Sequence, residues 1–228
     1  MGFNKTLFVF LGLLLFGSGL VMAISNASVS DVTRLDRWGG DATAGNIATE
    51  GGNITSANVA ANTLTDRWAG FFGNVTGNIY LTDANGGTTN YLFKWTANSP
   101  TGYVCVSENT NFPFASGAAT TATKINTAWS FGSATDNAIN TFTGSCDITF
   151  NNPYVQITNT VKATHQTDSA FATCAIDNGG TGENDFAFCV AINQSGKNYL
   201  NQSADYELIV PTSVGNEVET YYFYVELN

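Results

Sequence analysis

The stretch "FATCAIDNGGTGENDFAFCVAIN", from Phe171 to Asn193, predicts how this chain folds. Two runs rich in aromatic and β-branched residues flank the turn-forming segment "GGTGEN", and each run carries one cysteine. Such a pattern is typical of an antiparallel hairpin. Closing the hairpin brings Cys174 and Cys189 to facing positions, so we expect a disulfide between them.

The chain has four cysteines, and the other two are Cys105 and Cys146. An even number in an exported chain favours disulfides over metal ligands, and the close C-x-x-C spacing of a thiolate metal site is absent. Four cysteines allow three pairings. If Cys174 pairs with Cys189, a bond between Cys105 and Cys146 follows by subtraction.

Short apolar runs separated by Gly, Asn and Asp turns continue along most of the chain, and helical periodicity is scarce. We therefore predict an all-β fold, an antiparallel β-sandwich of Ig-like or jelly-roll-like type, over residues 53–228. The stretch 116–129 is the one fair helix candidate. The predicted strands are "NITSANV", "RWAGFFGNV", "NIYLTD", "NYLFKWT", "GYVCVSE", "AWSFGS", "CDITF", "YVQITNTVKAT", "FATCAID", "FAFCVAIN", "DYELIVP" and "ETYYFYVEL".

The first residues have the pattern of a secretory signal peptide. A short segment with one lysine precedes the apolar run 6–20, and the small residues "VMA" end it. We predict a signal peptide over 1–23 with cleavage after Ala23. Cleavage after Ser25 or Ala27 and an uncleaved anchor are the alternatives. Residues 24–52 are small and polar, and we interpret them as an extended N-terminal arm.

Composition excludes some partners and leaves others open. The formal net charge is −10, which repels phosphate backbones, so we expect no nucleic-acid partner. We expect no membrane span after signal cleavage, because no second apolar stretch is long enough. Five Asn-x-Ser/Thr sequons are candidate glycosylation sites: Asn26, Asn53, Asn74, Asn193 and Asn201.

Cofactor chemistry has little support in the sequence. We predict no cofactor, with calcium as a weak candidate at the acidic turn that contains Asp177, Glu183 and Asp185; ordinary hairpin turns use the same residues. We predict no catalytic residues and no enzyme. The only histidine, His165, lies in a polar segment, and the mature chain has no G-x-S-x-G nucleophile motif.

The triplet Asp-Arg-Trp occurs twice, at 36–38 and at 66–68. Neighbouring residues of a strand point to opposite faces, so Asp66 and Arg67 cannot converge on one pocket if the second copy is a straight strand. We expect a structural role, in which Trp68 fills core volume and Arg67 pairs with an acid on a neighbouring strand. In the last strand the same alternation puts Tyr221, Phe223, Val225 and Leu227 in the core and leaves Tyr222 and Tyr224 near solvent.

Two segments carry a resemblance to known proteins. The series Trp68, Gly70, Phe71, Phe72, Gly73, Asn74 and Val75 fits the pattern W-x-G-F-[FY]-G-N-V, and the chain ends in the Y-Y-F-Y strand 221–224. From about Gly52 onward the chain resembles a group of secreted, β-rich cell-surface proteins of archaea. The resemblance implies an exported surface protein without catalytic residues. The D-R-W copy in the arm departs from that group's pattern.

We expect a secreted or cell-surface structural protein, a subunit that assembles with its own copies into a filament or sheath. In this hypothesis the arm donates a strand to a neighbouring subunit. The alternative is an extracellular glycan-binding or adhesion module, in which Phe71, Phe72, Tyr222 or Tyr224 stacks on cell-surface sugars.

Overall fold

The computed structural model describes residues 24–33, 46, 48–60, 63–82, 91–97, 100–151, 154–164, 170–213 and 218–228. Strands dominate these residues, so the predicted all-β antiparallel sandwich is confirmed. The described strands are β1 (Ser25–Asn26), β2 (Trp68–Gly73), β3 (Asn78–Thr82), β4 (Tyr91–Thr96), β5 (Gly102–Ser107), β6 (Ala118–Ala119), β7 (Gly144–Asn151), β8 (Tyr154–Thr164), β9 (Ala172–Asp177), β10 (Phe186–Ala191), β11 (Tyr206–Pro211) and β12 (Tyr222–Leu227), and the helices are α1 (Ala122–Ala128) and α2 (Ala138–Thr141).

The middle of the fold is an antiparallel layer with the strand order β12, β5, β10, β9. Strands β9 and β10 are buried along nearly their whole length, on both faces. A strand that is covered on both faces is largely apolar, and the runs "ATCAID" and "FAFCVA" consist of small and apolar side chains apart from Thr173 and Asp177. Two separate hydrophobic cores therefore flank this layer.

One core lies under the hairpin of β7 and β8. Strand β8 pairs with β9 only through Lys162–Thr164, and the rest of the hairpin packs over the central layer. Phe150 of β7 contacts Tyr103 of β5, with ring centroids 5.5 Å apart. Phe114, in a short 3-10 turn, packs edge-on against both Phe150 and Tyr224.

The other core lies under β2, β11 and helix α1. Strands β2 and β11 form a two-stranded sheet, whose Leu208 and Val210 are buried in this core. Helix α1 lies inside the predicted helix candidate 116–129, and Thr121 caps it by accepting the Lys124 N–H. The helix ends at Trp129, whose ring packs on Phe186 and Phe188 of β10.

Two predicted strands are absent from the described structure. The run "AWSFGS" forms the end of α1 and the turn that follows it, because Trp129 is held in the core at the end of a helix. The run "NITSANV" has no regular secondary structure and is exposed. The other ten predicted strands coincide with observed strands.

The predicted disulfide pairing is wrong. The bonds join Cys105 to Cys189 and Cys146 to Cys174. Cys189 does face Cys174 in the register of β10 and β9, as predicted, but on its other side it faces Cys105 of β5. A residue of a central antiparallel strand makes a hydrogen-bonded pair with one neighbour and a closer, non-hydrogen-bonded pair with the other. The Cα atoms of Cys105 and Cys189 are 4.0 Å apart, so theirs is the close pair.

The exposure predicted for the last strand is also wrong in part. Tyr224 is fully buried, and its hydroxyl donates to the Asn109 carbonyl and accepts the Phe112 N–H. The other predicted face, with Phe223 and Val225, packs on the second core as expected. The alternation was correct, but β12 is covered on both faces because it belongs to the central layer.

The beginning of the predicted arm belongs to the same sheet. Strand β1 pairs with β12, so that Ser25 faces Val225 and Asn26 faces Tyr224. Ile24 is only 2% exposed and lies in the core under β7 and β8. The chain is thus fixed to the body at β1 and again at β2.

We predict that Gly102→Ala destabilises the protein far more than Gly179→Ala. Both glycines have positive φ, 121° and 95°, so both substitutions strain the backbone. A Cβ on Gly102 would also lie 2.1 Å from the Glu226 carbonyl oxygen, whereas Gly179 has open space around it. We expect about 1 kcal/mol for Gly179→Ala and well over about 2 kcal/mol for Gly102→Ala, measured by denaturant unfolding. Equal losses would contradict the packing of β5 against β12.

Candidate functional site: an apolar hairpin and an exposed segment

The most unusual surface of the described structure is the hairpin of β3 and β4. It is a two-stranded sheet of its own, in which Ile79 faces Trp95 and Leu81 faces Phe93. Because side chains alternate along a strand, these four residues share one face of the hairpin. They are between 42% and 61% exposed, and the rings of Phe93 and Trp95 stack with centroids 6.0 Å apart.

The opposite face of the hairpin is more polar. Lys94 places its ammonium group 5.8 Å from the centre of the Tyr80 ring, and Asn78 faces Thr96. The hairpin is therefore amphipathic, and its apolar side resembles a sheet face that packs against a hydrophobic core. A two-stranded hairpin is at best marginally stable in water, and its apolar face is normally covered. We call Ile79, Leu81, Phe93 and Trp95 the hairpin face.

The hairpin joins the body through a close contact at its base. A Cβ on Gly77 would lie 2.3 Å from Cδ1 of Leu227, so a larger residue at this position would displace the Leu227 side chain of β12. The Gly77 carbonyl accepts the Ala97 N–H at 3.0 Å and closes the base of the hairpin. A cavity of about 550 Å³ opens beside it, and none of the described residues that line it is titratable: Val75, Thr76, Gly77, Asn78, Thr96, Ala97, Pro100 and Gln194.

A second apolar surface lies on the segment that precedes β2. Residues 48–60 have no regular secondary structure apart from the turn at 51–52, and their side chains are exposed. Ile54 and Val59 are 102% and 94% exposed, and Leu64 is 45% exposed. These apolar side chains belong to neither of the two described hydrophobic cores. We call residues 53–60 the exposed segment.

The segment is anchored where β2 begins, at the second D-R-W triplet. The Trp68 indole N–H donates to the Asp136 carbonyl at 2.6 Å, and its ring packs edge-on against Phe131 at 5.3 Å. Arg67 pairs with the Asp136 carboxylate at 3.2 Å and lies over the same Phe131 ring. Thr65 donates to the other carboxylate oxygen at 2.6 Å.

The structural role predicted for this triplet agrees with these contacts, with two differences. Trp68 is half-buried at the rim of the core, and the acid that pairs with Arg67 belongs to the loop before α2 and not to a strand. Arg67 and Trp68 reach the same loop because Arg67 lies in the bend before β2. The first copy, at 36–38, lies outside the described residues, as does His165.

The calcium candidates do not form a cluster. Asp177 is buried and pairs with Lys124 at 2.8 Å, while its other oxygen accepts the Gly179 N–H. Asp185 accepts the Gly182 N–H within its turn, and Glu183 accepts from the Ser213 hydroxyl. Across the described part of the chain, no three acidic, histidine or cysteine side chains come together as a metal site.

Sequence reasoning missed a cluster of carboxylates between the end of β5 and the start of β12. The pKa of Glu108 is raised to about 7, first by burial and then by the charges of Glu219 and Glu183, while the polar hydrogens of Tyr221 and Trp129 partly oppose the rise. Burial, with the nearby Glu108 and Glu219, also raises the pKa of Tyr221 above its usual value. The cluster unites residues that lie far apart in the sequence, so no local motif signals it.

The residues predicted to carry sugars or to stack on them are scattered over the structure. Asn26, Asn53, Asn74 and Asn201 are exposed, and Asn193 is half-buried, with its side-chain oxygen accepting the Ser195 N–H. Of the four aromatic residues proposed to stack on sugars, Phe71 packs on Tyr221 and Phe223, and Tyr224 is buried. Phe72 contacts Tyr199, and Tyr222 is 39% exposed.

Comparisons with protein-family models, with curated proteins and with solved structures find no match for this chain. Among the described residues, no helix is both long enough and apolar enough to cross a bilayer. Two disulfides between buried strands are compatible with an exported protein.

We predict that the stability of the protein falls as the pH rises through neutrality, and that Glu108→Gln removes part of this fall. The folded protein holds the Glu108 proton more tightly than the unfolded chain, whose pKa is near 4.5. Its contribution is therefore fully present below pH 4.5 and is lost as the pH rises through about 7. Allowing for solvent screening, we expect a gain on the order of 1 kcal/mol for the variant at about pH 8.

Denaturant unfolding of the wild type and of Glu108→Gln between about pH 5 and pH 8 measures this effect. Glu50→Gln is the matched control, because Glu50 is an exposed carboxylate in the segment before β2. If both variants follow the wild-type pH profile, the buried Glu108 carboxyl does not carry the proton.

Proposed function

We propose that this protein is an exported structural subunit that assembles with copies of itself. In the assembly the exposed segment of one subunit covers the hairpin face of the next. The proposal rests on two features of one chain. One is an apolar sheet face without a described cover, and the other is an exposed segment whose apolar side chains have no described core. The N-terminal end itself is not the donor, because β1 occupies the edge of its own subunit's sheet.

The hairpin face supplies the driving force in this proposal. Four large apolar side chains lie side by side on two paired strands, and each gains roughly 1.5–3 kcal/mol when it is fully buried. Contiguous exposed apolar surface of this kind marks protein contacts in soluble proteins. About half of each side chain is already covered, so the remaining gain is smaller than the full value.

The exposed segment supplies a matching partner. It has no helix or strand to lose on binding, and Ile54 and Val59 are almost fully exposed before they are buried. An extended chain can add to a sheet by backbone hydrogen bonds while its side chains fill the apolar face. Along the chain the segment lies between two attachments to the body, at β1 and at β2.

Sugar recognition, the alternative function, receives some support from the exposed stacked rings of Phe93 and Trp95. Sugar sites combine aromatic rings with polar groups that bind the hydroxyls. The hairpin face offers Ile79 and Leu81 beside the rings, with no polar side chain between these four positions. An apolar protein segment fits this composition better than a glycan does.

Assembly should be lost when either surface receives a charge. We expect Trp95→Asp and Ile54→Asp each to leave only monomers in analytical ultracentrifugation and electron microscopy, under conditions where the wild type assembles. Ile139→Asp is the matched control, because Ile139 is an isoleucine on α2 that is about as exposed as Trp95 and belongs to neither surface. Circular dichroism checks that all three variants fold.

Cross-linking tests the pairing of the two surfaces directly. Subunits with Ile54→Cys are mixed with subunits with Phe93→Cys and oxidised mildly, and we expect covalent dimers that contain one subunit of each kind. Mixing Ile139→Cys with Phe93→Cys should give only background. A wild-type protein that stays monomeric at every concentration tested, or dimers that form equally in both mixtures, would contradict the proposal.

A further inference from the structure

One buried carboxylate has a hydrogen-bond partner for only one of its two oxygens. Glu226 of β12 is 3% exposed, and its Oε1 accepts the Asn151 N–H at 2.6 Å. The other oxygen, Oε2, is buried and has no hydrogen-bond partner among the described residues. A buried carboxylate oxygen without a donor costs free energy, so such a group usually has a partner.

The position of Glu226 is rigidly fixed. It faces Tyr103 of β5, and the next pair in the register is Leu227 with Gly102. The chain end is held by the Asn228 N–H, which donates to the Thr101 carbonyl at 2.9 Å. The backbone of Glu226 is therefore held on β12 by its neighbours, and the Oε2 atom is buried.

Across the pairing of β1 with β12, the neighbour of this acid is Ile24. Ser25 faces Val225 and Asn26 faces Tyr224, and one further step of the same register places Ile24 opposite Glu226. The Ala27 N–H donates to the Phe223 carbonyl, so Ile24 and Glu226 form a non-hydrogen-bonded pair, whose side chains approach closely. Ile24 is 2% exposed, and its side chain fills the core under β7 and β8.

We infer that Glu226 is a binding site for the free α-ammonium group of Ile24, which is created when a peptidase removes residues 1–23. Hydrolysis of the Ala23–Ile24 peptide bond consumes one water, leaves a carboxylate on Ala23 and leaves an amine on Ile24 that is protonated at neutral pH. The ammonium group has three donors and a charge opposite to that of Glu226, and it supplies what Oε2 lacks. This inference does not depend on the assembly proposed above.

The same geometry selects among the cleavage sites that the sequence left open. Cleavage after Ser25 would remove Ile24 from the core, and cleavage after Ala27 would remove β1 altogether. Either cut would leave Glu226 buried and without its partner. Cleavage after Ala23 keeps the apolar side chain and adds the charge, so the processed terminus locks β1 onto β12.

The test is a double-mutant cycle on the complete mature protein. One form begins at Ile24 and is released from a fusion by a protease that leaves no extra residue. The other carries one additional alanine before Ile24, which keeps an ammonium group but moves it by one residue. Each form is made with Glu226 and with Glu226→Gln, and unfolding by denaturant is measured with the disulfides intact.

With Glu226 present, we expect the added alanine to increase the unfolding equilibrium constant at least about tenfold. With Glu226→Gln, we expect the two forms to differ by less than about twofold. Equal effects of the alanine in both backgrounds would overturn the inference. Because Glu226→Gln can itself lower stability, the comparison uses only the difference within each background.

The N-terminus of the protein exported by its own host provides a second readout. Mass spectrometry should find Ile24 as the first residue. Its amine should react slowly with an amine-modifying reagent in the folded wild type and at the normal rate in Glu226→Gln. A first residue at Asn26 or Ser28, a retained leader, or a freely reactive Ile24 amine in the wild type would each overturn the inference.

Discussion

The structure depends on one constraint, which is that the layer of β12, β5, β10 and β9 is covered on both faces. One sheet face buries Cys105, Cys189 and Tyr224 under the β7–β8 hairpin, and the other buries Val106, Phe188 and Val190 under α1, β2 and β11. Burial on two sides explains why nearly every residue of β9 and β10 is small or apolar. It also explains why both disulfides lie within this layer or bridge to it from β7.

The β3–β4 hairpin and the exposed segment bury less of their apolar surface than this body does. The β3–β4 hairpin has one covered base and one open apolar face, and residues 53–60 have no cover at all in the described structure. The described structure thus combines two buried hydrophobic cores with two apolar surfaces that remain partly or fully exposed. The central layer accounts for folding, whereas the incomplete surfaces are where we place the function.

The sequence predicted local elements well and long-range relations poorly. The strand 154–164 was predicted with its observed bounds, because its alternation and the turns that flank it are local signals. Alternation also showed which residues of 221–227 share a face, but it cannot show that a second layer covers Tyr224. The disulfide pairing failed for a similar reason, since the strand that brings Cys105 to Cys189 is 84 residues away.

The candidate sites also combine local features, which the sequence predicts, with long-range contacts, which it does not. The strands of the hairpin were predicted from their aromatic and β-branched residues, yet the exposure of Phe93 and Trp95 depends on what the rest of the chain does not cover. The carboxylate cluster at Glu108 and the half-satisfied Glu226 arise from contacts between distant segments. Neither has a spacing or a motif that a single sequence can reveal.

Hydrogen exchange measured on the monomer and on the assembled protein tests the central claim most directly. The account predicts slow exchange in β5, β9 and β10 in both states, because these strands lie inside a doubly covered layer. It predicts fast exchange in residues 53–60 and in the β3–β4 hairpin of the monomer, with protection gained at those two places on assembly. Fast exchange in the central strands, or protection on assembly that appears elsewhere, would contradict it.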